Sequence, residues 1–160
     1  GGKIAVYTGI LPVTQTPEGL AVVMGHEIAH ALAEHGKERV NQQLLAQGGA
    51  FTLQLLMLEK PQMTQDIFLS AFGAASNLGF LLPFSRKQEL EADKLGLLFA
   101  ARAGYNPRAA IPLWQRMEKL HKGETPPEFT STHPAEATRI KALEQQLPEA
   151  IKIYENSTGH

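Results

Sequence analysis

The 160-residue sequence contains no cysteine. This absence excludes disulfide bonds, thiolate zinc ligands and cysteine nucleophiles together. An excess of charge is also absent, because the formal net charge is −1, and nothing therefore indicates a nucleic-acid partner. Hydrophobic residues make up 43% and charged residues 19% of the chain, as in an ordinary globular protein. We expect residues 1–160 to form one domain with a buried core.

The sequence also lacks a recognisable leader and a long uninterrupted hydrophobic run. Gly1 does not begin a signal peptide, and the strand-like residues that follow it suggest an upstream segment, through which membrane association would be possible. The most apolar stretch, Ile67 to Phe84, contains Asn77 and Pro83 and is short for a membrane span. We expect it to form buried helix and loop, with membrane contact as the alternative.

Residues Lys3 to Leu11 are rich in isoleucine, valine, tyrosine and threonine, with apolar residues near alternate positions, and Pro12 follows them. This pattern predicts a β-strand. If the strand forms an exposed sheet edge, a substrate peptide could add to it as a further strand. A plain core strand is the alternative.

The motif that dominates the sequence is His26-Glu27-Ile28-Ala29-His30, in the pattern H-E-x-x-H. A helix is predicted around it, with Thr16 as the N-cap and Pro17 at the first helical position. Residues four apart share a face of a helix, so His26 and His30 can bind one metal ion. Two histidines and a glutamate on so apolar a helix are costly unless they are paired or bound to metal.

Zinc suits these residues. A catalytic zinc site takes three protein ligands and leaves one position for a water whose pKa zinc lowers to about 7. Glu27 stands where a general base would take the proton of this water. The helix is expected to continue to near Ala46, so His35 falls off the ligand face and should be solvated. Glu34 ranks second as a third ligand, because it reaches the metal only if the helix bends.

A second motif follows in the sequence from Ser85 to Asp93 (SRKQELEAD). Ser85 is a suitable N-cap for a helix that we expect from Arg86 to about Ala103. Glu89 and Asp93 lie four apart and share a face of this helix. One of these carboxylates could ligate zinc while the other accepts a hydrogen bond from a zinc-binding histidine. A solvated charge cluster at the helix start is the alternative.

Together, the two motifs resemble the zinc metallopeptidase family that contains the type I CAAX prenyl proteases, the HtpX-like membrane proteases, the mitochondrial inner-membrane stress protease and the soluble periplasmic BepA-like proteases. The resemblance covers nearly the whole chain and implies that Glu89 is the third ligand and Asp93 its supporting residue. It also implies a mainly helical α+β gluzincin domain with a small β-sheet beside the active-site helix. The weak apolar stretch between the motifs is most similar to the soluble, BepA-like branch.

A third segment contains His133-Pro134 and Arg139, after a loop rich in proline and glutamate. A helix is predicted from Pro134 to about Leu147. The family carries a similar H-P-x-x-x-x-R segment near its active site. By this resemblance Arg139 stabilises the oxyanion of the reaction and His133 lies over the zinc, where it could act as a latch. Ordinary surface roles are the alternatives.

The sequence thus predicts a zinc metalloendopeptidase with one Zn²⁺ per chain, acting on peptide or unfolded protein. The predicted ligands are His26, His30 and Glu89, and Glu27 is the predicted base. The family branch and the absence of cysteine predict a bacterial periplasmic or envelope location, with misfolded or damaged envelope proteins as substrates. The alternatives are a latched, chaperone-like binding module in envelope protein assembly and a structural zinc protein. The oligomeric state is not predicted.

Overall fold

The computed structural model describes residues 4–121, 133 and 137–159. Within these residues the chain forms seven α-helices: α1 (Leu11–Thr14), α2 (Pro17–Leu32), α3 (His35–Leu56), α4 (Gln62–Ser76), α5 (Leu82–Arg102), α6 (Ala110–His121) and α7 (Ala137–Thr158). Short 3₁₀ turns occur at Thr8–Ile10 and Pro107–Ala109, and a π-helical turn at Asn77–Leu81 joins α4 to α5.

The β-strand predicted from Lys3 to Leu11 is not found in the part of this stretch that the structure describes. Ile4 to Tyr7 are exposed and form no regular element, and the chain then turns into helix. A strand needs a neighbour that pairs its backbone groups, and no described residue forms a strand. The predicted small sheet is therefore not confirmed, and the exposed edge expected to bind a substrate strand is absent from these residues.

The chain divides into two compact units. Unit 1 comprises Gly1–His30 and Glu89–His160, and unit 2 comprises Ala31–Gln88. The hydrophobic core lies in unit 1, where α1, α2, α5, α6 and α7 contribute buried apolar side chains. Trp114 and Met117 of α6 are fully buried in it. This core fixes the parts of α2 and α5 that carry the predicted metal ligands.

The start of α2 agrees with the prediction, because the Thr16 hydroxyl accepts a hydrogen bond from the Gly19 amide at 3.1 Å. The predicted continuation to Ala46 is wrong. Glu34 has a φ of 54°, a left-handed conformation that a helix interior does not tolerate, so α2 ends at Leu32 and α3 begins at His35. The new helix buries His35, which is only 3% exposed, and the expected solvated position of this histidine is also wrong.

Unit 2 differs most from the sequence prediction. Helix α3 passes through Gly48 and Gly49 without a break, although paired glycines commonly end a helix. The stretch from Ile67 to Phe84 is helical but not buried: α4 has no buried residue. By length and hydropathy, Gln62–Arg102 is the one helical segment of the described chain that could cross a membrane, and none of its most apolar window is buried.

The last two predicted helices are present with different bounds. Helix α5 begins at Leu82 instead of Arg86, so Ser85 lies inside the helix and caps nothing; its end precedes Gly104, whose φ of 81° suits glycine. Helix α7 extends to Thr158, beyond the predicted Leu147, and contains Pro148. The predicted helix start at Pro134 lies outside the described residues.

Candidate metal centre

Two of the proposed ligands come from successive turns of α2. The Nε2 atoms of His26 and His30 lie 3.1 Å apart. The i, i+4 spacing therefore places the two nitrogens close enough to bind the same metal ion. His26 is 1% exposed, whereas the side chain of His30 retains 13% of its accessible surface. The pair therefore lies at the boundary between the core and solvent, where a reactant can approach from the His30 side.

Helix α5 supplies the carboxylates. Glu89 Oε2 lies 3.4 Å from His26 Nε2, and Glu89 Oε1 lies 3.3 Å from His30 Nε2. One turn later, Asp93 Oδ1 lies 3.0 Å from His26 Nδ1. A hydrogen bond from Nδ1 to Asp93 leaves the lone pair on Nε2, which is the tautomer that a metal ligand needs. The structure thus places Glu89 beside the Nε2 atoms of both histidines and Asp93 beside the Nδ1 atom of His26.

His133 reaches the same point. Its Nδ1 atom lies 3.3 Å from His26 Nε2 and 3.0 Å from Glu89 Oε1. Its other nitrogen, Nε2, lies 3.5 Å from Glu27 Oε1. The side chain of Glu27 is 41% exposed, and one of its oxygens is buried beside this histidine. His133 therefore lies between the metal-ligating group and the predicted base.

The donor set fits zinc. The four residues His26, His30, Glu89 and His133 each offer one donor atom, and these atoms lie within 4.8 Å of one another. In a tetrahedral zinc site with bonds of about 2.0–2.1 Å, neighbouring donors are separated by about 3.4 Å. The distances above, from 3.0 to 3.4 Å, are close to this value. By contrast, Glu34 is not among these donors, because its side chain is 65% exposed and pairs with Lys37.

Arg139 of α7 lies behind the carboxylates. Its Nε and Nη2 atoms each donate to Asp93 at 2.7 Å, and Nη1 lies 2.8 Å from Glu89 Oε2. The guanidinium carbon lies 4.0 Å from the centroid of the Trp114 ring, a cation–π contact. The residue is 3% exposed. All three guanidinium nitrogens contact carboxylates of the protein, and the oxyanion role of Arg139 stays a prediction.

The electrostatics of the cluster favour a bound cation. Burial acts to raise the pKa of Glu89, but contacts with His133, His26, His30 and Arg139 outweigh it and hold this pKa far below its ordinary value. The pKa of Asp93 is likewise lowered, despite its burial, by Arg139 and His26. Two ionised carboxylates therefore face one guanidinium. Burial lowers the pKa of His30, which keeps its imidazole neutral and able to bind metal.

Burial also acts to lower the pKa of His26, but its hydrogen bonds to Asp93 and Glu89 prevail and raise it. A proton on His26 thus compensates part of the negative charge in the absence of metal. Since metal and proton compete for the same nitrogen, metal binding should release protons at this site.

Gly25 of α2 and Gly96 of α5, which no sequence motif singled out, allow these two helices to pack closely against each other. A Cβ atom on Gly25 would lie 2.5 Å from the Gly96 carbonyl oxygen, and one on Gly96 would lie 2.5 Å from the His26 amide nitrogen. Helices α2 and α5 therefore cross in backbone contact one residue before the first proposed ligand. The sequence does carry a signal for this close contact, because each of the two motif-bearing helices has a glycine in its interior. Such a glycine destabilises a helix by about 1 kcal/mol relative to alanine, so its presence indicates a packing requirement.

We expect Gly96→Ala to weaken metal binding and to lower the free energy of unfolding by about 1–3 kcal/mol or more, because the added methyl group meets backbone that cannot rotate away. Zinc titration and chemical denaturation measure the two effects. Gly48→Ala in α3 is the matched control, since a Cβ there meets nothing within 4 Å. Equal metal affinity in Gly96→Ala and the wild type would contradict this account of the crossing.

The sequence matches the family model described as peptidase family M48 over residues 1–147. It is 40% identical to mitochondrial metalloendopeptidase OMA1 of Schizosaccharomyces pombe, over 98% of this chain and 44% of that protein. It is 37% identical to human OMA1, over 96% of this chain and 30% of the relative. The β-barrel assembly-enhancing protease of Escherichia coli is 26% identical, over 88% and 29%. No solved structure matches significantly.

These relatives correct the predicted location. The periplasmic prediction relied on a likeness to the bacterial branch, but the bacterial relative is less similar than the mitochondrial proteins, so the prediction is wrong. The chain spans less than half the length of the relatives it matches.

Proposed function

Because the chain belongs to peptidase family M48, we propose that it is a zinc-dependent metalloendopeptidase that hydrolyses internal peptide bonds. The observation that supports this proposal most directly is the cluster of four donors with a glutamate beside it. His26, His30 and Glu89 are the proposed protein ligands. Unfolded or damaged protein segments are the proposed substrates, since only an extended, accessible segment can bring its backbone to the zinc.

In the proposed mechanism each side chain has a distinct task. When bound, zinc supplies an activated water and polarises the scissile carbonyl. The Glu27 carboxylate accepts a proton from the attacking water and later donates it to the leaving amine. Its partial exposure suits this task, because the carboxylate must meet both water and substrate.

Asp93 and Arg139 position the ligands. The Asp93 carboxylate lies 3.0 Å from His26 Nδ1 and so favours the tautomer that carries its proton on that nitrogen. Arg139 binds Asp93 with two nitrogens and Glu89 with a third, and Trp114 stacks on the guanidinium. A planar, bidentate guanidinium holds two carboxylates at fixed spacing, which a lysine could not do. This contact supports a positioning role for Arg139.

His133 is the proposed latch. One of its nitrogens lies among the donor atoms and the other lies near Glu27, so the same ring can fill the fourth metal position and obstruct the base. Open catalytic zinc sites keep that position for water, whereas closed sites have four protein ligands. The observed arrangement therefore supports a latent enzyme, and it also favours the alternative of a metal-holding binding module that does not cleave.

We expect His133→Ala to raise kcat/KM for a quenched fluorescent peptide while zinc content stays near one per chain, because the variant frees the fourth position and Glu27. The double variant His133→Ala/Glu27→Gln is the control, since it opens the same site without a base and should be inactive. A fall in activity in His133→Ala would contradict the latch and assign the histidine a positive role in turnover.

The experiment that tests the function as a whole measures metal and cleavage on the same preparation. One equivalent of zinc, peptide cleavage that a chelator abolishes, and recovery on adding zinc would support the endopeptidase. One equivalent of zinc without cleavage in either the wild type or His133→Ala would contradict it and favour the binding module. Absence of zinc binding would refute both.

A further inference from the structure

The indole of Trp114 contacts two residues of the metal centre. Trp114 is 1% exposed, and its ring centroid lies 5.7 Å from that of His26, with the two ring planes inclined by 66°. The guanidinium carbon of Arg139 lies 4.0 Å from the centroid of the indole. Edge-on aromatic pairs and cations over an indole are both attractive at such distances. The side chain therefore makes two specific contacts in addition to filling the core.

These contacts close a circuit of four side chains from four helices. His26 belongs to α2, Asp93 to α5, Trp114 to α6 and Arg139 to α7. Asp93 Oδ1 lies 3.0 Å from His26 Nδ1, and Arg139 donates to Asp93 at 2.7 Å through two nitrogens. Trp114 completes the circuit between Arg139 and His26. All four residues are buried, so water does not replace any of these contacts.

The imidazole of His26 needs support from more than one side. The χ2 torsion of a histidine has broad energy wells, so the helix backbone does not fix the plane of the ring. A single partner at Nδ1 still allows the ring to pivot about that contact. The contact with the indole removes this remaining freedom. Such support matters because the ligands of a functional site must be held within about 0.5 Å of the productive geometry.

The contact with Arg139 extends the effect of the indole to a second proposed ligand. Arg139 Nη1 lies 2.8 Å from Glu89 Oε2, while its other two nitrogens bind Asp93. The face of the indole opposes any movement of the guanidinium away from these carboxylates. An aliphatic side chain could fill much of the same space, but it has no π face to attract the cation.

We propose that Trp114 is a positioning residue of the metal centre, which sets the plane of the His26 imidazole directly and the place of Glu89 through Arg139. This inference rests on the proposed function, since it requires that His26 and Glu89 bind zinc. It adds a residue that lies outside all three sequence motifs. The alternative is a core residue whose loss affects stability alone.

Zinc affinity, measured separately from stability, tests the proposal. Competition with a chelator gives the zinc Kd of the folded full chain, and chemical denaturation of the zinc-free protein gives its stability. We expect Trp114→Leu to raise the Kd about tenfold, as is usual when a group that orients a ligand is lost. Trp114→Phe keeps a smaller aromatic face and should raise the Kd only about two- to threefold.

Leu113→Ala is the matched control. Leu113 precedes Trp114 on α6 and is fully buried in the same core, so its truncation should destabilise the protein. Its side chain has no aromatic ring to offer either His26 or Arg139. We therefore expect Leu113→Ala to lower stability and to leave the zinc Kd unchanged.

Cobalt reports the geometry of the ligands. Sites with nitrogen and oxygen donors also bind Co²⁺, whose visible absorption bands depend on the arrangement of its ligands. In Trp114→Leu these bands should shift or lose intensity, whereas Leu113→Ala should keep the wild-type spectrum. Trp114 is the only tryptophan of the chain, so its emission in the wild type should change on zinc addition and saturate at one equivalent.

Two results would overturn the positioning role and leave the proposed metal centre intact. One is a wild-type zinc Kd and cobalt spectrum in Trp114→Leu with one zinc still bound. The other is an equal loss of affinity in Leu113→Ala, because the effect would then follow core stability. If circular dichroism shows that Trp114→Leu does not fold, an unchanged Kd and cobalt spectrum in Trp114→Phe would overturn it. A wild type that binds no zinc would refute both this inference and the proposed function.

Discussion

Replacing Glu27 by glutamine should lower kcat by about 10²–10⁴-fold, the usual contribution of a general base, while zinc content stays at one per chain. The side chain lies beside the donor cluster and is not one of the four donors, and glutamine has nearly the same shape. The amide cannot accept the proton of the attacking water. Metal analysis and single-turnover cleavage of a peptide measure the two quantities on one sample.

Glu34→Gln is the matched control for this prediction. The exposed side chain of Glu34 pairs with Lys37, and its removal should change neither metal content nor kcat. Loss of zinc in Glu34→Gln would reinstate this residue as the third ligand. Turnover by Glu27→Gln comparable with the wild type would refute the proposed mechanism.

The second large effect concerns stability. Arg139→Met should lower the free energy of unfolding by about 3–5 kcal/mol, because it leaves two buried carboxylates without their cation. Methionine retains much of the volume, so lost packing against Trp114 contributes less than the uncompensated charge. Chemical denaturation of the zinc-free protein at neutral pH measures the change. Arg102→Met, on the exposed end of α5, should change stability little.

The pH dependence of these proteins distinguishes lost charge from lost packing. In the wild type the pKa of Asp93 is depressed, so its stabilising effect is present above the ordinary carboxyl pKa of about 3.9 and is lost as the pH falls through the lower folded value. In Arg139→Met, burial without the guanidinium should raise this pKa. That variant should therefore become less stable as the pH rises towards neutrality, relative to the wild type. A constant difference across pH would indicate packing alone.

The local part of the site follows from the sequence. Helical periodicity places His26 with His30 and Glu89 with Asp93, and each spacing depends only on residues one turn apart. Pairing the two motifs required the family resemblance, since 58 residues lie between His30 and Glu89 in the sequence. The structure brings these residues together as expected, but the partner of Arg139 was missed. Its contact with Asp93 is a tertiary contact that periodicity does not encode.

The errors in the fold arise where the surroundings of a segment, and not its own residues, decide its structure. Apolar residues from Ile67 to Phe84 are predicted to lie in a core because hydrophobicity alone cannot distinguish a buried helix from an exposed apolar one. The strand from Lys3 to Leu11 is predicted from residue preference, which decides little when the described residues offer no partner strand. His35 was expected to be solvated because the left-handed turn at Glu34 could not be foreseen from a non-glycine residue.

The chain passes from unit 1 into unit 2 after His30 and returns to unit 1 at Glu89, and both of these residues are proposed metal ligands. Ala31 directly follows His30, Gln88 directly precedes Glu89, and the side chains of His30 and Glu89 lie 3.3 Å apart. An insertion whose two ends are already neighbours can change in length without moving its attachment points. For protein engineering, the His30–Glu89 junction is therefore a natural position at which to shorten this segment or replace it with another.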